Sequence, residues 1–99
     1  MRLEILIASP PTRKCKTILD MMQAQVIKYP EKLRLDIYYA GSQPFTVPTA
    51  GYMNQGKQKR VPSVFVNGSM VSCGDVPDEE NLQTAVEEEL SKHASSWAE

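Results

Sequence analysis

Cys15 is the side chain with the clearest capacity for chemistry in this 99-residue chain. It follows Thr12-Arg13-Lys14 and opens a stretch of helical apolar periodicity. A sulfur in the first turn of a helix feels the positive end of the helix dipole, and Arg13, Lys14 and Lys16 add positive charge, conditions that favour thiolate over thiol. The Thr12 hydroxyl is close enough in sequence to donate a hydrogen bond to it. A thiolate so placed attacks disulfides or peroxides. The plainer reading is an inert cysteine that packs inward as a small hydrophobe. Cys73, the second cysteine, ends a strand-like run, and packing explains it equally well. Two cysteines this far apart have no zinc-ligand spacing and are too few for a disulfide scaffold. The single histidine, His93, lies in a polar C-terminal tail, which argues against histidine-dependent catalysis. Lys57, Lys59 and Arg60 form a short basic run that reads most simply as a solvated loop.

The formal net charge of −1 carries no global signal for nucleic acid, and the apolar fraction is that of an ordinary globular domain. One domain is expected over residues 1–92, with a frayed tail over 93–99. The N-terminal apolar run, Leu3 to Ala8, is too short to span a bilayer or to serve as a signal peptide. The expectation is a soluble, cytoplasmic protein with no membrane, nucleic-acid or metal partner, its oligomeric state left open.

The elements that must position these residues are readable for most of the chain. Leu3, Ile5 and Ile7 alternate while Leu6 and Ala8 make the other face apolar, the pattern of a strand covered on both faces. Pro10 and Pro11 stop it, and Ile18, Leu19, Met22 and Val26 predict a helix over Arg13–Lys28, closed by Pro30. Leu33, Leu35, Ile37 and Tyr39 alternate with Arg34, Asp36 and Tyr38, predicting a strand with one more polar face. Between Ala40 and Arg60 prolines and glycines interrupt any long element, and only a short helix near Thr49–Gln55 is expected. Asn67-Gly68 between Ser63–Val66 and Ser69–Cys73 is a strong hairpin signal, since both residues tolerate positive φ. Asp78 caps a last helix with an apolar stripe of Leu82, Ala85, Val86 and Leu90. The order is β-α-β-(α)-β-β-α. Tyr38, Tyr39, Tyr52 and Trp97 form no readable stripe.

That order, with Thr12-Arg13-Lys14-Cys15 after the first strand and Val61-Pro62-Ser63-Val64-Phe65-Val66-Asn67-Gly68 around the third, resembles the thioredoxin/glutaredoxin superfamily over nearly the whole chain. The resemblance implies a thioredoxin-like α/β fold with a four-stranded mixed sheet flanked by helices. It implies a cis bond before Pro62, placed beside the active-site loop, and a small-residue turn at Cys73-Gly74-Asp75 near the glutathione site. Lys57, Lys59 and Arg60 would then supply positive charge for glutathione carboxylates, and Val61 would offer backbone groups to an extended peptide, as a strand edge does. The chain departs from the family where Cys-x-x-Cys is expected. Cys15 matches the second cysteine and Thr12 replaces the first, so a standard dithiol reductase cycle cannot run. Thr-x-x-Cys also resembles peroxiredoxins, whose signature proline would fall at Ala8.

Two functions follow as expectations. One is a thiol-based redox or thiol-binding protein centred on Cys15, assisted by Thr12, acting on a protein thiol or disulfide, a glutathione-like peptide or a peroxide, with Cys73 as candidate resolving thiol. No cofactor is expected beyond glutathione. The other is a non-catalytic binding module that holds a peptide, partner or anion in the groove beside Pro62, lined by Arg13, Lys14, Arg60, Val61, Gly74 and Asp75.

Overall fold

In the computed structural model, which describes residues 1–54 and 60–92, the central strand is β1 (Arg2–Ile7). It runs parallel to β2 (Arg34–Tyr39), with Leu3 opposite Leu35 and Ile7 opposite Tyr39. On its other side it pairs antiparallel with β3 (Ser63–Val66), and β3 pairs antiparallel with β4 (Ser69–Cys73). The sheet is mixed and four-stranded, in the order β2-β1-β3-β4. The β3–β4 connection is the expected Asn-Gly turn, with φ 51° at Asn67 and 79° at Gly68.

One face of the sheet carries two long helices. Helix α1 (Arg13–Lys28) begins because Pro10 and Pro11 cannot continue β1 and because the Thr12 side chain accepts the Cys15 N–H at 3.3 Å. Its buried positions, Cys15, Ile18, Met22 and Gln25, recur every three or four residues and so lie along one stripe. Helix α3 (Glu79–Leu90) is capped by Asp78, which accepts the Glu80 N–H at 3.0 Å, and it buries Leu82 and Val86. These stripes close on Leu3, Ile5 and Ile7 of β1 and on Val64 and Val66 of β3, forming the main core. Each fully buried large aliphatic side chain there contributes about 1.5–3 kcal/mol.

The opposite face is built differently. The short helix α2 (Ala50–Asn54) lies here, and Tyr52 sits between Tyr38 and Phe65, at ring-centroid distances of 4.5 and 4.9 Å. Gly51 allows the close approach, since a Cβ on it would overlap the backbone carbonyl oxygen of Gly68. Two expectations change at this face. The opposite side of β1 is not simply apolar, because Glu4 is in its middle, fully buried. The polar face of β2 is covered as well, with the Asp36 side chain only 11 % exposed. Both changes have one cause. The chain from Pro44 to α2 folds back over this face, bonding Glu4 directly through Thr49 and holding Arg2 and Arg34, the partners of Asp36, through Val47 and Thr46.

Among the described residues no helix is long and apolar enough to cross a membrane. Lys57, Lys59, His93 and Trp97, with the tail expected over 93–99, lie outside the described residues.

Candidate functional site

Cys15 sits where the sequence predicts, in the first turn of α1 and against the end of β1. Its Sγ accepts the Thr12 hydroxyl at 3.2 Å and the Ala8 N–H at 3.4 Å. Burial pushes the thiol up. Hydrogen bonds from the Thr12 hydroxyl, the Ala8 N–H and the backbone at the helix start more than offset that and hold it below its ordinary value. The activation therefore comes from oriented donors rather than from the cationic neighbours. Lys14 points instead to Asp75, with Nζ 3.3 Å from the carboxylate, and both side chains are largely exposed. Cys15 itself has no exposed surface. The sulfur is electronically prepared and sterically sealed.

Cys73 reaches the same edge of the sheet as Cys15, as the hairpin requires, but it is on the other face. Strand partners directly opposite one another share a face. Cys73 pairs with Ser63, and Ser63 pairs with Leu6, which packs against the Tyr38–Tyr52–Phe65 cluster. Cys15 belongs to the core beneath α1 and α3. Cys73 is exposed, its Sγ 3.9 Å from the Ser63 hydroxyl, and both thiols are free.

The other residues named from sequence divide into separate clusters. The Val61–Pro62 bond is cis, in keeping with the resemblance, and so is Ser9–Pro10. The Pro62 carbonyl accepts the Gly74 N–H at 2.7 Å, and the Arg60 side chain lies over Gly74. Ser63 Oγ donates to the Arg60 carbonyl, so Arg60, Pro62 and Gly74 form one small junction between β3 and β4. Lys14 and Asp75 form a second pair across the edge, tying α1 to the loop before α3. Arg13 is exposed in the first turn of α1, where its carbonyl accepts the Thr17 hydroxyl at 3.1 Å.

Val61 lines a cleft. It opens on the α2 face, with a volume of about 360 Å³, between Leu6, Tyr38 and Tyr52 on one side and Pro44, Pro48 and Met53 on another. None of its described lining residues is charged. Tyr38, Tyr39 and Tyr52 form no stripe in the sequence that would mark a cleft. The usable signal was Pro44 and Pro48 bracketing an apolar pair, Phe45 and Val47, within a stretch otherwise rich in turn residues.

Beneath this cleft is a polar network that sequence reading missed altogether. Glu4 accepts hydrogen bonds from the Tyr38 hydroxyl at 2.6 Å, from the Thr49 N–H at 3.0 Å and from the Thr49 hydroxyl. Arg2 donates to Asp36 at 2.8 Å, to the Val47 carbonyl at 2.7 Å and to the Tyr38 hydroxyl at 3.0 Å. Arg34 reaches Asp36 at 3.1 Å and the Thr46 hydroxyl at 3.0 Å. Burial and the Glu4 charge push Tyr52 up to about 12 and raise Tyr38 further, so both phenols stay neutral across the physiological range. The Arg2-x-Glu4 and Arg34-x-Asp36 alternation was visible as period-2 polarity, but nothing local told that the polar residues would be covered. Among the described residues no group of three or more histidine, cysteine, aspartate or glutamate side chains is arranged to hold a metal ion. Compared with known proteins, the chain matches no family model, no curated protein and no solved structure.

Proposed function

We propose that this chain is a thioredoxin-like domain working as a binding module, which holds an uncharged apolar segment in the cleft beside Val61. The mixed sheet, the helices on both of its faces and the placing of Cys15 and Pro62 at one edge support the fold assignment. The observation that carries the function is the contrast in access. Cys15 has no exposed surface, whereas the cleft is open and apolar. A disulfide in another protein must bring its sulfur within bonding distance of the thiolate, which a sealed sulfur prevents. The uncharged lining also favours an apolar segment over glutathione, whose carboxylates would enter it without counter-charge.

Thiol accessibility tests this reading. With a small disulfide reagent at neutral pH, the folded protein should react at Cys73, and Cys15 should follow at least about tenfold more slowly, because its modification waits on local opening. Equal rates at the two cysteines would overturn it in favour of the redox reading.

The hydrogen bonds to Cys15 favour that second reading for one substrate class, a small peroxide. The thiolate attacks one peroxide oxygen, the S–O bond forms as the O–O bond breaks, and the departing oxygen takes a proton to leave as water or an alcohol. Cys15 becomes a sulfenic acid. Mass analysis after brief peroxide treatment should then find one added oxygen at Cys15 before any at Cys73. First oxidation at the exposed Cys73 would rule this out.

A further inference from the structure

Of the four most exposed large apolar side chains among the described residues, three lie on the segments that wall the cleft, and the fourth, Ile27, is on α1. Phe45 is 91 % exposed, Val47 79 % and Met53 59 %. They are not on a loose loop. Arg34 holds the Thr46 hydroxyl, Arg2 holds the Val47 carbonyl, and the buried Glu4 holds Thr49. The network under the sheet therefore fixes Pro44–Pro48 in place while turning its apolar side chains to water. An aromatic ring held rigidly in solvent has already lost the freedom that association would otherwise remove.

Taking the cleft as a binding groove, we infer that its occupant is the Phe45–Val47 segment of a second copy of this chain. The projecting segment and the cleft are on the same face, so each copy offers both a ring and a receptor for one. That is the requirement for a closed two-fold contact in which the two insertions are equivalent. A cavity of about 150 Å³ is enough for benzene, so the cleft of about 360 Å³ admits a phenyl ring with its neighbours. Charge agrees, since neither the described lining nor Pro44–Pro48 contains a charged residue, and no described ion is stranded when the faces meet. Area sets the strength. A buried phenylalanine contributes about 150–250 Å², so this patch belongs with small transient interfaces, under about 1,200 Å² in total.

Sedimentation of the full chain from about 10 μM to about 1 mM should show a reversible monomer–dimer equilibrium with no larger species. Phe45→Asp should remain monomeric throughout, and Phe45→Leu should dimerise at higher concentration than the native chain. A native chain that is monomeric at about 1 mM overturns the inference, as does a Phe45→Asp variant that still dimerises or an assembly that grows past the dimer. Should Phe45→Asp fail to fold, the native chain still decides. Mixed-label NMR must show contacts between the Phe45 ring of one copy and the Leu6 or Val61 methyls of the other, and their absence rejects the contact. The free peptide Pro-Phe-Thr-Val-Pro added to Phe45→Asp separates the two readings. Shifts at Leu6 and Val61 with a monomeric native chain uphold the groove and reject self-occupancy, while no shifts and no dimer reject both.

Discussion

The two faces of the sheet solve the same problem, covering a central strand, by opposite means. Under α1 and α3 the cover is aliphatic and continuous, and the one chemically notable side chain there, Cys15, is closed off within it. Under α2 and the Pro44–Pro48 segment the cover is small, and a buried ionic and hydroxyl network completes it. A helix of five residues cannot shield half a sheet by itself, so the loop has to be bound down by specific hydrogen bonds. The result is that the well-packed face contains the activated thiol, while the polar-anchored face contains the open cleft. Prepared chemistry and access are on different sides of the molecule.

Removing Glu4 should separate the two faces most sharply. Glu4→Ala leaves the Tyr38 hydroxyl, the Thr49 N–H and the Thr49 hydroxyl without their buried acceptor, and at about 1–3 kcal/mol for each stranded group a loss of about 3–5 kcal/mol is expected by chemical denaturation. Amide exchange should accelerate in α2 and residues 44–49 by more than it does in α1. Uniform acceleration would show that the faces are not energetically distinct. Gly51→Ala attacks the same face sterically. Its Cβ cannot coexist with the Gly68 carbonyl, so α2 must shift, at a cost of about 1–3 kcal/mol. Near-ultraviolet circular dichroism should report the disturbed Tyr38–Tyr52–Phe65 packing.

Thr12→Val acts on the other face. It removes the α1 cap, at about 1 kcal/mol, together with the hydroxyl donor to Cys15. The thiol should titrate higher in the variant, as read by thiolate absorbance in a Cys73→Ser background. The sign of the linkage can be checked too. Because Cys15 ionises more readily folded than unfolded, its contribution is fully present above the ordinary thiol value of about 8.5 and is lost as pH falls through the lower folded value. Stability should therefore rise with pH across that window, and less steeply in Thr12→Val. A smallest effect is expected for Lys14→Ala. The Lys14–Asp75 pair is solvated, so neither melting temperature nor Cys15 titration should change measurably. A clear upward shift of the thiol would restore the cationic neighbours as the source of its activation.

Much of the architecture depends on local signals and was open to reading. The Pro10-Pro11 stop, the Thr12 and Asp78 caps and the Asn67-Gly68 turn each act through backbone geometry within a few residues, and the helix and hairpin strands have the bounds those signals predict. Cys15 was legible as a helix-start sulfur with Thr12 as its donor for the same reason. Its sealed position was one of two readings left open, because exposure depends on what α1 packs against. Nor was the separation of Cys73 onto the opposite face, which follows from the pairing of β4 with β3 through a register that includes an irregularity between Val64 and Phe65. Tertiary structure alone decided the meaning of Arg2, Glu4 and Asp36. Alternation showed Asp36 on the polar side of its strand and left Arg2 and Glu4 unremarked in a strand read as apolar on both faces, but a buried charge is tolerated only where distant groups satisfy it. Those groups, Val47, Thr49 and Tyr38, come from parts of the chain that no local pattern links to β1.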